Sequence, residues 1–107
     1  MSVQSDEKGQ VAVTMTLLAK PGEETALMGA LDALAATVRR DEAGCLLYLT
    51  VRSPHEPRRF LVFERYRDEQ ALKDHANSAH LRDALPGLMD CLESPPDVAL
   101  FEAFDRD

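Results

Sequence analysis

The alternation of apolar and polar residues predicts the first two elements of the chain. Residues 10–20 alternate with a period of two, which is typical of a strand, and Pro21 and Gly22 end the run. Residues 23–42 instead carry leucines and alanines at helical spacing, with acidic residues at the start and arginines at the end. We predict that Gly44 closes this helix in a left-handed conformation.

The rest of the pattern predicts a hairpin, two helical segments and a last strand. Residues 45–52 and 58–66 read as strands joined by a five-residue connection, and residues 97–104 alternate again. Asp68 and Ser78 stand where their side chains can cap residues 69–75 and the helix that follows. Pro86 and Gly87 are expected to interrupt or kink that second helix.

This order of elements predicts a ferredoxin-like fold, the split βαβ arrangement. It is an α+β fold with a four-stranded, mainly antiparallel sheet and its helices on one face. Both faces of the second and third strands along the chain are apolar, whereas a sheet with one solvated face would alternate cleanly. We therefore expect a homodimer through the second sheet face. Residues 1–9 are polar and unpatterned and are predicted to be a flexible tail, followed by one domain at residues 10–107.

Charge and cysteine content narrow the classes of partner. The 107 residues carry a net charge of −7, which opposes binding to nucleic acid or to an anionic membrane. Cys45 and Cys91 form no CxxC motif, and the N-terminus has no apolar stretch typical of a signal peptide. These features predict a cytoplasmic protein in which both thiols are reduced and act as small apolar side chains.

Residues 60–80 contain most of the side chains that could do chemistry. Glu64 and Tyr66 share the period-two register of the apolar residues of their strand, so both project from a largely apolar face. His75 follows in a helical segment, and His80 comes five residues later. This stretch therefore combines a carboxylate, a phenol and two imidazoles on neighbouring elements.

Two histidines also suggest a metal site, with His55 and Glu64 as further ligands. On a continuous helix His75 and His80 would lie about 140° apart, so they would not face one ion. A break between them would relax this constraint. The spacing favours no metal, and we expect none.

As an ordered set, the residues resemble the antibiotic biosynthesis monooxygenase family. The set comprises Lys20-Pro21-Gly22-Glu23, Glu42-Ala43-Gly44-Cys45 with Tyr48, Phe63-Glu64-Arg65-Tyr66, Ala71-Leu72, His75, Ser78 and His80. The resemblance runs from about residue 10 to residue 104. It implies a ferredoxin-like protomer that pairs sheet to sheet in a dimeric α+β barrel.

The family contains several activities. It includes oxygenases that oxidise quinols and anthrones without flavin or metal, haem-degrading enzymes, and isomerases of a small phosphorylated sugar. Haem-degrading members use an asparagine, a tryptophan and a histidine where this chain has Met15, His75 and Leu85, so haem degradation is disfavoured. The resemblance thus implies a cofactor-independent monooxygenase that oxidises a phenolic, quinol or anthrone-type aromatic with O₂.

The resemblance also implies roles for individual residues. Oxygenation without a cofactor needs a base, because the ionised substrate must donate an electron to O₂. Histidine titrates near neutral pH, so His75 is expected to be the base. Glu64 is expected to orient His75 or to hold a substrate hydroxyl. Tyr66, Tyr48 and His80 are expected to bind the substrate, the tyrosines by stacking on its ring.

Two other functions remain open. An isomerase with a polar substrate would need cationic groups in the pocket, for which Arg39, Arg52 and Arg58 are candidates. A non-catalytic dimeric binding module would need no pocket at all. The space between sheet and helices discriminates among them. An apolar slot that reaches His75 favours the oxygenase, and a slot lined by basic residues favours the isomerase. A fully packed space favours the binding module.

Overall fold

The computed structural model describes residues 9–104, and these form one sheet covered on one face by helices. In chain order the elements are β1 (Val11–Leu18), α1 (Glu24–Asp41), β2 (Cys45–Arg52), β3 (Arg59–Tyr66), α2 (Glu69–Ala76), α3 (Ala79–Asp90) and β4 (Asp97–Glu102). The sheet order is β2-β3-β1-β4, and every neighbouring pair is antiparallel. This confirms the ferredoxin-like α+β arrangement. Apart from Gly9, the predicted N-terminal tail lies outside the described residues.

The core lies between the sheet and the helices. Along β3, alternate residues from Phe60 to Tyr66 face the helices and are buried. On α1 the side chains spaced three or four residues apart form the buried stripe, which includes Leu27, Leu31 and Val38. Burying each of these side chains stabilises the fold by about 1.5–3 kcal/mol. None of the described helices is long and apolar enough to cross a lipid bilayer.

The opposite face of the sheet is apolar and exposed. It is defined here by Leu47, Leu49, Val51 and Phe101, whose exposed fractions lie between 41% and 51%. Residues of β2 alternate between this open sheet face and the core, so the pattern of two apolar faces is present in the structure. Dimerisation through the open sheet face stays a prediction.

The prediction for Gly44 is wrong. Among the described residues only Gly22 has a positive φ, of 88°, and Glu42, which directly follows α1, is in an extended conformation. Gly44 is instead needed for close packing, because a Cβ atom there would lie 2.6 Å from the Cβ of Ala71 on α2. The glycine thereby lets α2 approach the turn between α1 and β2.

Pro86 and Gly87 do not interrupt helix α3, so this part of the prediction is wrong. Helix α3 continues through Pro86 from Ala79 to Asp90. A proline removes the hydrogen bond to the carbonyl group four residues earlier, that of Arg82. Arg82 and Pro86 are both exposed, so water can hydrate this carbonyl and the helix persists.

The predicted helix starts are confirmed, and they produce a break between the two histidines. The carboxylate of Asp68 accepts a hydrogen bond from the backbone N–H of Ala71 at 2.8 Å, which starts α2. The Ser78 hydroxyl accepts from the backbone N–H of Leu81 at 3.2 Å and starts α3. Residues 77–78 therefore separate two helices, and His75 and His80 lie on different ones.

Candidate active site

An apolar cavity of about 190 Å³ lies between the sheet and helices α2 and α3. Its walls are mostly aliphatic side chains, among them Val13, Met15 and Leu17 from β1 and Leu81, Leu85 and Leu88 from α3. The titratable groups that line the cavity are Tyr48, Glu64 and His75. The sequence analysis expects an apolar slot that reaches His75 if the protein is an oxygenase, and this cavity is such a slot.

The cavity has an exposed mouth between α3 and β4. Of the lining residues, Leu85, Met89 and Val98 are 36%, 42% and 59% exposed. His75 and Glu64, in contrast, are only 5% and 4% exposed. A ligand can therefore enter past apolar side chains and meet the ionisable groups at the inner end.

His75 is held from behind by a carboxylate. Its Nδ1 atom lies 2.8 Å and 3.1 Å from the two carboxylate oxygens of Glu42, whose side chain is 12% exposed. A carboxylate can only accept, so Nδ1 carries a proton, and in the neutral imidazole Nε2 is then the acceptor. Nε2 lies 3.9 Å from Oε1 of Glu64, which is beyond hydrogen-bond distance.

Glu64 is held by Tyr66. The hydroxyl group of Tyr66 donates a hydrogen bond of 2.6 Å to Oε1 of Glu64. Burial raises the pKa of Glu64, and the hydrogen bond from Tyr66 opposes that rise. Burial also raises the pKa values of Tyr66 and Tyr48, with a further rise from the Glu64 carboxylate, so both phenols remain donors at neutral pH.

His80 contacts the same carboxylate oxygen of Glu42 as His75 does. Its Nε2 atom is 2.5 Å from Oε2 of Glu42, and the two imidazole centres are 6.4 Å apart. The ligand atoms of Glu42, His75 and His80 all lie within 4.8 Å of one another, and this is the group of described residues that could hold a metal ion. The further ligands suggested by the sequence, His55 and Glu64, do not belong to it.

The structure thus separates the five predicted site residues into two sets. His75, Glu64 and Tyr48 line the cavity. The other two do not line the cavity. Tyr66 is fully buried and donates to Glu64, and His80 contacts Glu42.

Glu42 is the residue that sequence reasoning missed. It precedes His75 by 33 residues, and no local pattern links them. The contact between Glu42 and His75 depends on Gly44, which packs closely against Ala71. Ala71 and His75 are four residues apart and so share one face of α2, which brings Glu42 to His75. The available signal was an acidic residue and a glycine just after a helix. This signal does not identify His75 as the partner of the acidic residue.

The arginines proposed for a polar substrate lie elsewhere. Arg39 donates to a backbone carbonyl group of β2 at 2.7 Å, Arg58 pairs with Glu93 at 2.6 Å, and Arg52 lies over a phenylalanine ring. None of the three lines the cavity.

The cysteines are free and do not act as nucleophiles in this arrangement. Burial, with the nearby Glu42 carboxylate, raises the pKa of the Cys45 thiol to about 11. Burial likewise raises the pKa of Cys91. Both thiols are therefore protonated at neutral pH, and a thiol attacks only as the thiolate.

A comparison with family models assigns the chain to a protein family. The family model described as antibiotic biosynthesis monooxygenase matches residues 10–86. No protein of curated function matches the sequence.

Solved structures agree with this match. A Caulobacter crescentus protein with the provisional name antibiotic biosynthesis monooxygenase is 26% identical, with a TM-score of 0.87 and coverage of 97% of this chain and 98% of its own. Rv0793 from Mycobacterium tuberculosis is 30% identical, with a TM-score of 0.83 and coverage of 91% and 97%. SO0527 from Shewanella oneidensis is 29% identical, with a TM-score of 0.83 and coverage of 90% and 92%.

Proposed function

The chain belongs to the antibiotic biosynthesis monooxygenase family, and on this premise we propose that it oxidises a small phenol or quinol with O₂ and without a cofactor. The observation that carries the proposal is the apolar cavity with a carboxylate-backed imidazole at its inner end. Such a pocket binds a flat apolar molecule and removes a proton from it in a site with little water.

Proton removal is assigned to His75. Its free Nε2 atom accepts the proton of a substrate hydroxyl group, and the Nδ1–H group keeps its bond to Glu42. The Glu42 carboxylate then stabilises the imidazolium ion that forms, so Glu42 is the positioning residue for His75. Glu64 accepts from a second substrate hydroxyl, and Tyr48 donates to the phenolate oxygen.

The oxidation then needs only the substrate and O₂. The phenolate passes one electron to O₂, and the aryloxyl radical and superoxide combine to form a C–O bond. The peroxide takes up a proton and loses water as the ring is oxidised to the quinone level. One oxygen atom of O₂ ends in the product and the other in water, and the substrate supplies all the electrons. The apolar walls protect the radical pair from bulk water.

The size of the cavity supports a small substrate. A cavity of about 150 Å³ is enough to hold a benzene ring, and the cavity here is about 190 Å³. A one-ring quinol fits this space, whereas a three-ring anthrone would have to displace wall residues or extend out through the mouth. We therefore assign one-ring phenols and quinols as the substrate class.

The two alternative functions find less support. An isomerase of a phosphorylated substrate needs a cation at the site, and no arginine or lysine lines the cavity in the described part of the chain. A purely structural module does not need a cavity that leads to a buried histidine, and this chain has one.

A homodimer through the open sheet face is part of the proposal. Leu47, Leu49 and Val51 on β2 and Phe101 on β4 lie near the two edges of this face. Leu61 and Phe63 of β3 and the threonines of β1 lie between them. A second copy related by a twofold axis presents the same surface, and pairing removes both from water.

The test is oxygen consumption by metal-free protein in chelator-containing buffer. We expect one-ring hydroquinones to be oxidised, with one O₂ taken up per quinol and a hydroxylated quinone as the product. Anthrone is expected to react at least tenfold more slowly. Uptake no faster than the protein-free rate for every one-ring quinol would refute the proposal, and faster anthrone oxidation would refute the assigned substrate class.

A further inference from the structure

Three potential metal ligands converge on the side of His75 that faces away from the cavity. Glu42 accepts from Nδ1 of His75 at 2.8 Å and from Nε2 of His80 at 2.5 Å. The proposed oxidation uses Nε2 of His75 and gives His80 no role. Two imidazoles and one carboxylate are a ligand set that binds Zn²⁺ and related divalent ions.

The sequence argument against a shared ion does not apply to the folded chain. It assumed a continuous helix, but α2 ends at Ala76 and α3 begins at Ala79. The break turns His80 back towards His75, and the two rings meet edge to face. Both imidazoles can therefore address one ion.

The cluster is open to solvent on one side. A groove of about 360 Å³ lies outside it and includes Glu42 and His80 in its lining. Asp41 and Asp74 line the same groove, and Arg67 is its one cationic residue. The groove gives a cation an entry path with attractive charge and leaves room for a water ligand.

We propose that Glu42, His75 and His80 bind one divalent transition-metal ion of the Zn²⁺ type, with water as the fourth ligand. A tetrahedral ion at about 2.0–2.2 Å from each ligand holds the ligand atoms about 3.3 Å apart. The two distances from Oε2 of Glu42 to the ring nitrogens, 2.8 Å and 2.5 Å, are shorter than this spacing, so the Glu42 carboxylate must withdraw by less than about 1 Å. The ligand atoms of all three residues already lie within 4.8 Å of one another. Glu42 lies just past the end of α1, and its side chain has three rotatable bonds, so the movement needs no change in the helix.

A carboxylate also lies near the other nitrogen of His75. Metal-bound histidines usually donate their second ring N–H to a carboxylate. Nε2 of His75 lies 3.9 Å from Oε1 of Glu64, which Tyr66 fixes in position. Glu64 becomes the outer carboxylate when the ion occupies Nδ1 and these two atoms close by about 1 Å to hydrogen-bond distance.

Binding of the ion opposes the proposed oxidation, and this consequence rests on the proposed function. With the metal on Nδ1, the proton of the neutral imidazole resides on Nε2, inside the cavity. Nε2 is then a donor and no longer accepts the substrate proton. The metal ion is therefore an inhibitor that acts through the outer side of the base.

Binding is tested with metal-free protein titrated with Co²⁺, followed by displacement with Zn²⁺. We expect one Co²⁺ per protomer, with the visible absorption of a four- or five-coordinate ion. His80→Gln should weaken binding by about tenfold or more, because it removes a ligand. His55→Gln is the matched control, since His55 lies in an exposed loop outside the cluster, and should bind as the wild type does.

The wild type provides a second readout that does not depend on any variant. Zn²⁺ should shift the imidazole ¹⁵N resonances of His75 and His80 and leave those of His55 unchanged. Absence of saturable Co²⁺ binding, or equal affinity in wild type and His80→Gln, would overturn the proposal.

A third measurement separates this proposal from the proposed oxidation. Zn²⁺ should slow oxygen uptake by the wild type relative to its own metal-free rate, and much less so in His80→Gln. If the ion binds but no quinol is oxidised, the metal site stands and the proposed function fails. If quinols are oxidised and no ion binds, the reverse holds.

Discussion

Glu64 is a carboxyl group buried on the helix-facing side of the sheet, and this placement costs stability. Burial raises its pKa above the ordinary value of 4.5, which means that the folded chain favours the protonated form. Its favourable contribution is complete below about pH 4.5 and is lost as the pH rises through the folded-state pKa. At pH 7 the charged carboxylate therefore destabilises the fold.

Glu64→Gln is accordingly expected to raise the Tm at pH 7 by a few degrees, since about 1 kcal/mol shifts the Tm of a small domain by about 4–8 °C. The gain should shrink as the pH falls towards 4. Glu56→Gln, in an exposed ion pair with Arg59, should give no such gain. Thermal unfolding across this pH range checks the prediction, and a lower Tm for Glu64→Gln at pH 7 would contradict it.

Sequence reasoning found the titratable residues that line the cavity, but it also chose Tyr66 and His80, which do not line it, and it missed the residue that orients the base. His75 and Glu64 were recognisable because a polar group on an apolar face stands out within one element. Glu42 was not, because its contact with His75 depends on how α2 packs against the end of α1. Such a contact is set by tertiary structure and has no local pattern.

At the scale of elements, Gly44 fixes the position of α2. Gly44→Ala is expected to destabilise the chain by about 1–3 kcal/mol, because the new methyl group overlaps Ala71. It should also reduce oxidation, since α2 carries His75. Gly29→Ala is the matched control: Gly29 lies within α1 with open space around it, and alanine should stabilise the helix by about 0.5–1 kcal/mol.

Urea unfolding of both glycine variants measures these changes. Equal stability of Gly44→Ala and wild type would show that α2 does not need the close approach. The comparison with Gly29→Ala separates crowding from the general effect of replacing glycine.

Elements were predictable where their signals are local. Asp68 and Ser78 each cap a helix through their own neighbours, and the sequence located both starts. Helix α3 continues through Pro86 because the loss of one hydrogen bond is tolerated on an exposed helix face. On the opposite face, Leu81 and Leu88 line the cavity and hold the helix in place. Local propensity was overridden by tertiary packing.

At the scale of the whole molecule, the topology followed from the order of elements, whereas the cavity did not. Its volume depends on the distance between helices and sheet, which no periodicity encodes. The open sheet face was visible in the sequence as strands with two apolar faces. It predicts a particle of twice the protomer mass of 11.9 kDa.

Leu49→Lys should convert this dimer into a monomer, because it places a charge among the apolar side chains of the open sheet face. Met28→Lys is the control, since Met28 is similarly exposed, at 40%, but lies on α1. Light scattering at micromolar concentration measures both masses. A monomeric wild type would rule out the dimer at this concentration.

The central claim is that His75 ionises a small phenolic substrate inside the cavity. Its most direct test is the rate of oxygen uptake with a one-ring hydroquinone for metal-free wild type, His75→Ala and His55→Ala. We predict that His75→Ala is slower by about 10²–10⁴-fold while keeping the wild-type circular dichroism, and that His55→Ala matches the wild type. An unchanged rate in folded His75→Ala would contradict the account.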